Sequence, residues 1–173
     1  MEISVGGQRI KGVLFNIMSK QSKEILTPPY GGELIHLIVP ESEREAISAE
    51  ANHYPDIQLS DRALHDLELL AVGGYSPLDR FMGKDDYQRV LTEMRLADGT
   101  LFPMPITLTI SKEDLPTRAE WIALRDSRNY LIAVMKIDEV FTWDPIREQR
   151  LVLGTTDTRH PLVSEMEQWG DLC

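Results

Sequence analysis

A single cysteine, Cys173, stands at the last of 173 positions. It can make no disulfide within the chain and no thiolate metal cluster, and it points to a reducing compartment. The four histidines, His36, His53, His65 and His160, are scattered with no pair three or four residues apart, so no metal-binding residue is expected. Nothing approaches the apolar length of a membrane span, about 18 residues. The N-terminus, Met1-Glu2-Ile3-Ser4-Val5, carries an acid at position 2 and opens no signal-peptide run. The reading is a cytoplasmic protein with no membrane partner. Basic residues are also in deficit, 18 Lys and Arg against 28 Asp and Glu, for a net charge of −10. Such a chain repels a phosphate backbone, and no nucleic-acid partner is expected. Glycine-rich phosphate loops are missing too: Gly31-Gly32 and Gly73-Gly74 neither open a helix after a strand nor precede a Lys-Ser/Thr pair.

What remains is an ordinary folding sequence, 42% hydrophobic and 27% charged, with room for one domain. Residues 1–25 read as an N-terminal extension, partly ordered, with Met18 an alternative start; residues 26–173 read as the domain. After the turn Pro28-Pro29-Tyr30-Gly31-Gly32, the apolar run Leu34–Val39 predicts a central strand. Pro40, at a first helical position and followed by Glu41, Glu43 and Glu45, predicts a solvated helix to about Ala51. Ser60 is placed to cap a helix, with Leu59 and Leu64 spaced as a hydrophobic staple, Leu67 and Ala71 on the same face, and Gly73-Gly74 as its stop. A further helix is predicted over 84–94 and a turn at Asp98-Gly99. Strands are predicted at 105–110, 121–125 and 130–137. Asp144 with Pro145, and then Pro161, predict two more helices. The sum is an α+β fold built on a bent, mixed or antiparallel, β-barrel-like sheet with flanking helices.

Few residues invite a chemical role. Ser76, Asp79 and His160 could be drawn as a nucleophile set, but Ser76 sits before a proline in a turn and nothing in the sequence sets a base beside it. Trp121, Trp143 and Trp169 read as core or interface anchors.

The run Leu67-Glu68-Leu69-Leu70-Ala71-Val72-Gly73-Gly74-Tyr75-Ser76-Pro77-Leu78-Asp79-Arg80-Phe81-Met82-Gly83 resembles the signature of the N-terminal, PUA-like domain of the ATP sulfurylases, or sulfate adenylyltransferases. Pro29–Leu34, Met94–Leu108, Ala133–Met135 and Gly154–Pro161 follow the family's order over roughly 26–172. The resemblance carries Gly31, Gly32, Gly74, Ser76, Pro77, Phe81, Met82, Gly83, Gly154, Thr155, Thr156, Asp157, His160 and Pro161 as structural signature residues. It implies an enzyme family that joins sulfate to the α-phosphate of ATP, with Mg, giving adenosine 5′-phosphosulfate and pyrophosphate. The catalytic Gln-x-Arg-Asn-Pro-x-His segment of that nucleotidyltransferase family belongs to a second domain. Here Arg128-Asn129 is followed by Tyr130, and no catalytic or cofactor-binding residue is assigned to this chain. The expectation is a non-catalytic domain, inactive alone and belonging to a longer or truncated gene product. Its partner is the catalytic domain of the same or a separate chain, with homo-oligomer contacts, docked near Trp143, Trp169 and Leu172. The competing reading is a free-standing PUA-like interaction or regulatory module. An RNA-binding role would rest on the fold name alone.

Overall fold

The computed structural model describes residues 4–5, 27–116 and 119–173. In chain order the elements are β1 (Ser4–Val5), α1 (Glu41–Ala51), β2 (Asp56–Gln58), α2 (Asp61–Val72), α3 (Lys84–Glu93), β3 (Trp121–Arg125), β4 (Leu131–Lys136), α4 (Pro145–Glu148), a π-helical turn (Gln149–Leu153) and α5 (Pro161–Met166). Apart from β1, the extension expected over 1–25 lies outside the described residues, as does Met18.

The helices form where local signals ask for them. Ser60 Oγ accepts the Ala63 N–H at the start of α2. Leu67 and Leu70 are fully buried on its inner face, and Gly73 ends it in the left-handed region at φ 82°. A Cβ on Gly73 would strike the Ile35 carbonyl oxygen, so glycine is required there for backbone approach as well as for φ. Gly83 precedes α3, which buries Tyr87, Val90 and Leu91 and closes on Met94 in the left-handed region. Asp144 caps α4 by accepting the Arg147 N–H, with Pro145 in the first turn. The single helix expected after Asp144 is instead divided, passing into the π-helical turn before Gly154. Pro40 stands one position earlier than expected, as the N-cap of α1.

The sheet is mixed, in the order β1-β4-β3-β2. β3 and β4 are antiparallel, with Ile122 opposite Met135 and Leu124 opposite Ala133, and β1 adds antiparallel to β4. β2, a strand too short to show in the sequence, pairs parallel with β3 (Ile57 opposite Leu124) through a crossover that contains α2 and α3. The main core gathers on one face, around fully buried Leu67, Leu70, Ile122 and Leu124 with Tyr87 and Val90, and a smaller cluster of Ala51, Ala123 and Val134 joins α1 to β3 and β4.

Two expected strands are corrected, and the barrel-like closure with them. Residues 34–39 form no ladder. The Leu37 N–H bonds the Ala71 carbonyl and the Ile35 N–H bonds Ser76 Oγ, so this segment runs along the end of α2. Residues 105–109 carry no regular secondary structure, and only Ile110 makes a bridge, to Leu172. Pro105 brings no N–H donor to that stretch. Without those two segments the described sheet stays open, with β1 and β2 as separate edges. Closure of the core falls to residues 171–173. The Leu172 and Ile110 backbones exchange hydrogen bonds, as do those of Cys173 and Phe141, and the Trp143 N–H bonds the Asp171 carbonyl. No described helix is long and apolar enough to cross a membrane.

Candidate functional site

A cavity of about 530 Å³ lies between the 77–83 segment, the 96–98 turn, the inner face of the sheet and residues 135–140. Its walls are apolar, with Leu78, Phe81, Met82, Ile122 and Met135 among them, and Cys173 completes one side. The rim is charged. Arg80 grips Asp79 with two hydrogen bonds, Nε to Oδ1 at 2.7 Å and Nη2 to Oδ2 at 3.2 Å, and reaches Asp138 at 3.5 Å. The Asp79 bond in particular raises the Arg80 pKa, so this cation stays charged and partnered. Other rim carboxylates hold backbone. Glu139 accepts the Lys84 N–H, Asp86 accepts the Ala97 N–H, and Asp98 accepts the Thr100 N–H, which draws the Asp98 pKa below its ordinary value.

The signature residues fall into three places. Pro77, Phe81, Met82 and Gly83 line the cavity, and Met82 also accepts the Ile106 N–H through its sulfur at 3.5 Å. Gly31 packs against the Pro77 ring on the far side of a cis Ser76-Pro77 bond. Gly32 forms the neighbouring turn, its N–H bonded to the Pro29 carbonyl, and Gly74 packs against Leu69. Ser76 donates its hydroxyl to the Gly73 carbonyl at 2.7 Å and accepts from the Ile35 N–H at 3.0 Å. Gly154, Thr155, Thr156, Asp157 and His160 form a separate surface loop that Pro161, the first residue of α5, closes. There Thr155 Oγ1 accepts the Asp157 N–H, and Asp157 is clamped by Arg159, which lowers the aspartate pKa. The imagined nucleophile set is not assembled: the Ser76 hydroxyl is spent on backbone, Asp79 is held by Arg80, and His160 is exposed at the α5 N-cap.

A buried polar cluster escapes sequence reasoning altogether. Glu148 Oε2 accepts from Tyr87 Oη at 2.9 Å and from Trp143 Nε1 at 2.7 Å, with all three residues buried. Burial and the adjacent carboxylate drive the Tyr87 hydroxyl pKa far upward. Trp143 stacks on Trp169 with ring centroids 5.4 Å apart, and the Arg62 guanidinium lies 3.8 Å over the Trp169 ring. Of the residues expected near a docking surface, Trp143 is buried, while Trp169, stacked on it under Arg62, and Leu172, bridged to Ile110 and Thr142, are half-buried. Cys173 has a structural setting that its place at position 173 does not reveal. It is half-buried, and burial pushes its thiol up to about 12, against a hydrogen bond with Thr107. Among the described residues no three His, Cys, Asp or Glu side chains converge as metal ligands, and all four histidines are exposed. The rim carboxylates, committed to Arg80 and to backbone N–H groups, do not form a cradle for Mg.

Comparison with known proteins follows the same lines. A family model described as a PUA-like domain matches residues 27–173. The sulfate adenylyltransferase of Synechococcus sp. (strain JA-3-3Ab) is 40% identical over 148 residues, which cover 84% of this chain and 37% of that protein. The sulfate adenylyltransferase of Phaeosphaeria nodorum is 45% identical over 142 residues, covering 79% of this chain and 25% of that one. Among solved structures, a hexameric APS kinase from Thiobacillus denitrificans superposes with a TM-score of 0.62 at 38% identity, covering 68% of this chain and 24% of that chain. The chain thus spans well under half the length of each of these relatives.

Proposed function

The chain belongs to the family of PUA-like domains, and from that premise we propose that it is the non-catalytic N-terminal domain of a sulfate adenylyltransferase. The observation that carries this reading is the pairing of high coverage here with low coverage there: 84% of this chain aligns with 37% of the Synechococcus enzyme. Joining sulfate to ATP demands donors aimed at phosphate oxygens. The cavity offers the opposite, an apolar interior under a rim with five carboxylates and two cations. In this reading the signature residues serve packing. Pro77 meets Gly31, Ser76 ties 35 to 73, and Asp157 orders the 154–161 loop, while ATP, Mg and sulfate are handled by the remainder of the enzyme. A cytoplasmic location and assembly into several copies, as the hexameric Thiobacillus protein shows for itself, belong to the same proposal.

The test is pyrophosphate release dependent on both ATP and sulfate. The chain alone is expected to give none, and the chain joined to the remaining portion of the Synechococcus enzyme is expected to turn over. Robust turnover by the chain alone would overturn the reading and return Ser76, Asp79, Arg80 and His160 to consideration.

A further inference from the structure

We infer that the groove between the outer edge of β2 and residues 108–111 takes up one extended segment of a partner protein, bonded through its main chain and carrying a Lys or Arg. β2 is the last strand of the sheet. The Pro55 carbonyl and the Leu59 N–H bond to β3 at its two ends, so Asp56 and Gln58 between them turn their N–H and carbonyl groups outward. Three residues make about 10 Å of such an edge. Across the groove, Ile110 spends its N–H and carbonyl on Leu172, while the Thr109 backbone has no partner among the described residues. The two sides do not bond each other, and a space of about 450 Å³ lies between them, with Trp169 and Gly170 also in its wall. An open row of backbone donors and acceptors is satisfied best by another main chain, entering as a strand with β2 on one side and Thr109 on the other.

Charge selects which chain enters. The groove is lined by Asp56 and Asp114 and by no Lys, Arg or His. Asp114 is taken, since it accepts from the Ser111 hydroxyl. The exposed Asp56 carboxylate has no hydrogen bond or ion pair among the described residues. A strand whose Lys or Arg falls beside Asp56 supplies the charge that the groove lacks. A second copy of this chain brings a net charge of −10 of its own and is repelled. Neither the open edge nor its charge depends on the function proposed above.

The probe is a blocked hexapeptide of alternating Lys and Val, added to the full chain at up to about 1 mM, with amide hydrogen exchange read residue by residue by NMR. The Asp56, Gln58 and Thr109 amides are expected to slow by about tenfold or more, while the exposed Ser42 amide of α1 keeps its rate. The same peptide with Glu in place of Lys, and a third with its Val amides N-methylated, are expected to change none of these rates. Gln58→Pro deletes one outward donor, a change that an edge strand tolerates, and is expected to weaken binding of the Lys peptide about tenfold with the urea midpoint little moved. Should that variant not fold, the N-methylated peptide tests the same bonding on the native chain. No slowing at about 1 mM overturns the inference. Equal slowing by the N-methylated peptide means adsorption without strand pairing, equal slowing by the Glu peptide means no selection by charge, and either overturns it. Slow exchange at Asp56, Gln58 and Thr109 before any peptide is added means that the groove is already filled, by a second copy where sedimentation shows a dimer and otherwise by this chain itself, and overturns it as well.

Discussion

Glu148 shows what a single side chain demands of this fold. Its carboxylate is 5% exposed and is kept there by two donors, Tyr87 and Trp143. Removing one donor leaves a buried acceptor short of a partner, which costs about 1–3 kcal/mol. Tyr87→Phe should therefore lower unfolding stability at neutral pH by that amount, measured by urea denaturation. Tyr75 bonds Asp66 at 2.8 Å, and burial first, then that bond, push its phenol up to about 12; the Tyr87 phenol is raised further. An acid whose pKa is raised by folding stabilises the folded state fully below its unfolded value, near 10, and loses that contribution as pH rises toward the folded value. Stability should thus fall steadily from pH 10 to 12, and Tyr75→Phe should flatten the decline; a midpoint constant across that range would contradict the assignment. None of this was legible in the sequence. Glu148 looks like an acid in the first turn of a helix, and its partner Tyr87 lies 61 residues away. Ser60 and Asp144 were legible because each cap closes on a residue three positions later.

Elements divide along the same line between near and distant partners. α2 ends where Ser60 and Gly73 say it should, and Leu67 is fully buried as its spacing requires. Leu67→Ala should cost about 2–5 kcal/mol. Gly73→Ala should cost more than about 1–2 kcal/mol, the strain of a left-handed residue alone, because its methyl meets the Ile35 carbonyl. Gly99 shares a positive φ but has open space around it, so Gly99→Ala should stay near the backbone strain alone, and thermal melts of the pair separate the two effects. The β3–β4 hairpin was equally readable, its turn fixed by Asp126 accepting the Arg128 and Tyr130 N–H groups. The run 34–39 misled because an apolar stretch of strand length states only that it will be covered. Here its backbone found Ala71 and Ser76 instead of a neighbouring strand. The three residues of β2 carry too short a pattern to be seen, yet they make the sheet mixed.

The whole molecule is closed by its distant ends more than by its sheet. Leu172 donates to and accepts from Ile110, and Gly170 passes so near the Ile110 backbone that a Cβ there has no room. Leu172→Pro removes one of those donors and should cost about 3 kcal/mol or more in urea unfolding, with the near-ultraviolet signal of the Trp143–Trp169 stack lost in step. The candidate cavity was illegible for the same reason that this closure was, since its walls come from the 77–83 signature, β4 and residue 173 at once. The pairing of 171–173 with 110 and 141–143 also sets a schedule for synthesis. Domains emerge from the ribosome N-terminus first. This one cannot seat Ile110, Phe141 and Trp143 in their final hydrogen bonds until residues 171–173 have cleared the exit tunnel. Until then the apolar faces of α2, β3 and β4 stand open in the cell, and the nascent chain depends on whatever shields them.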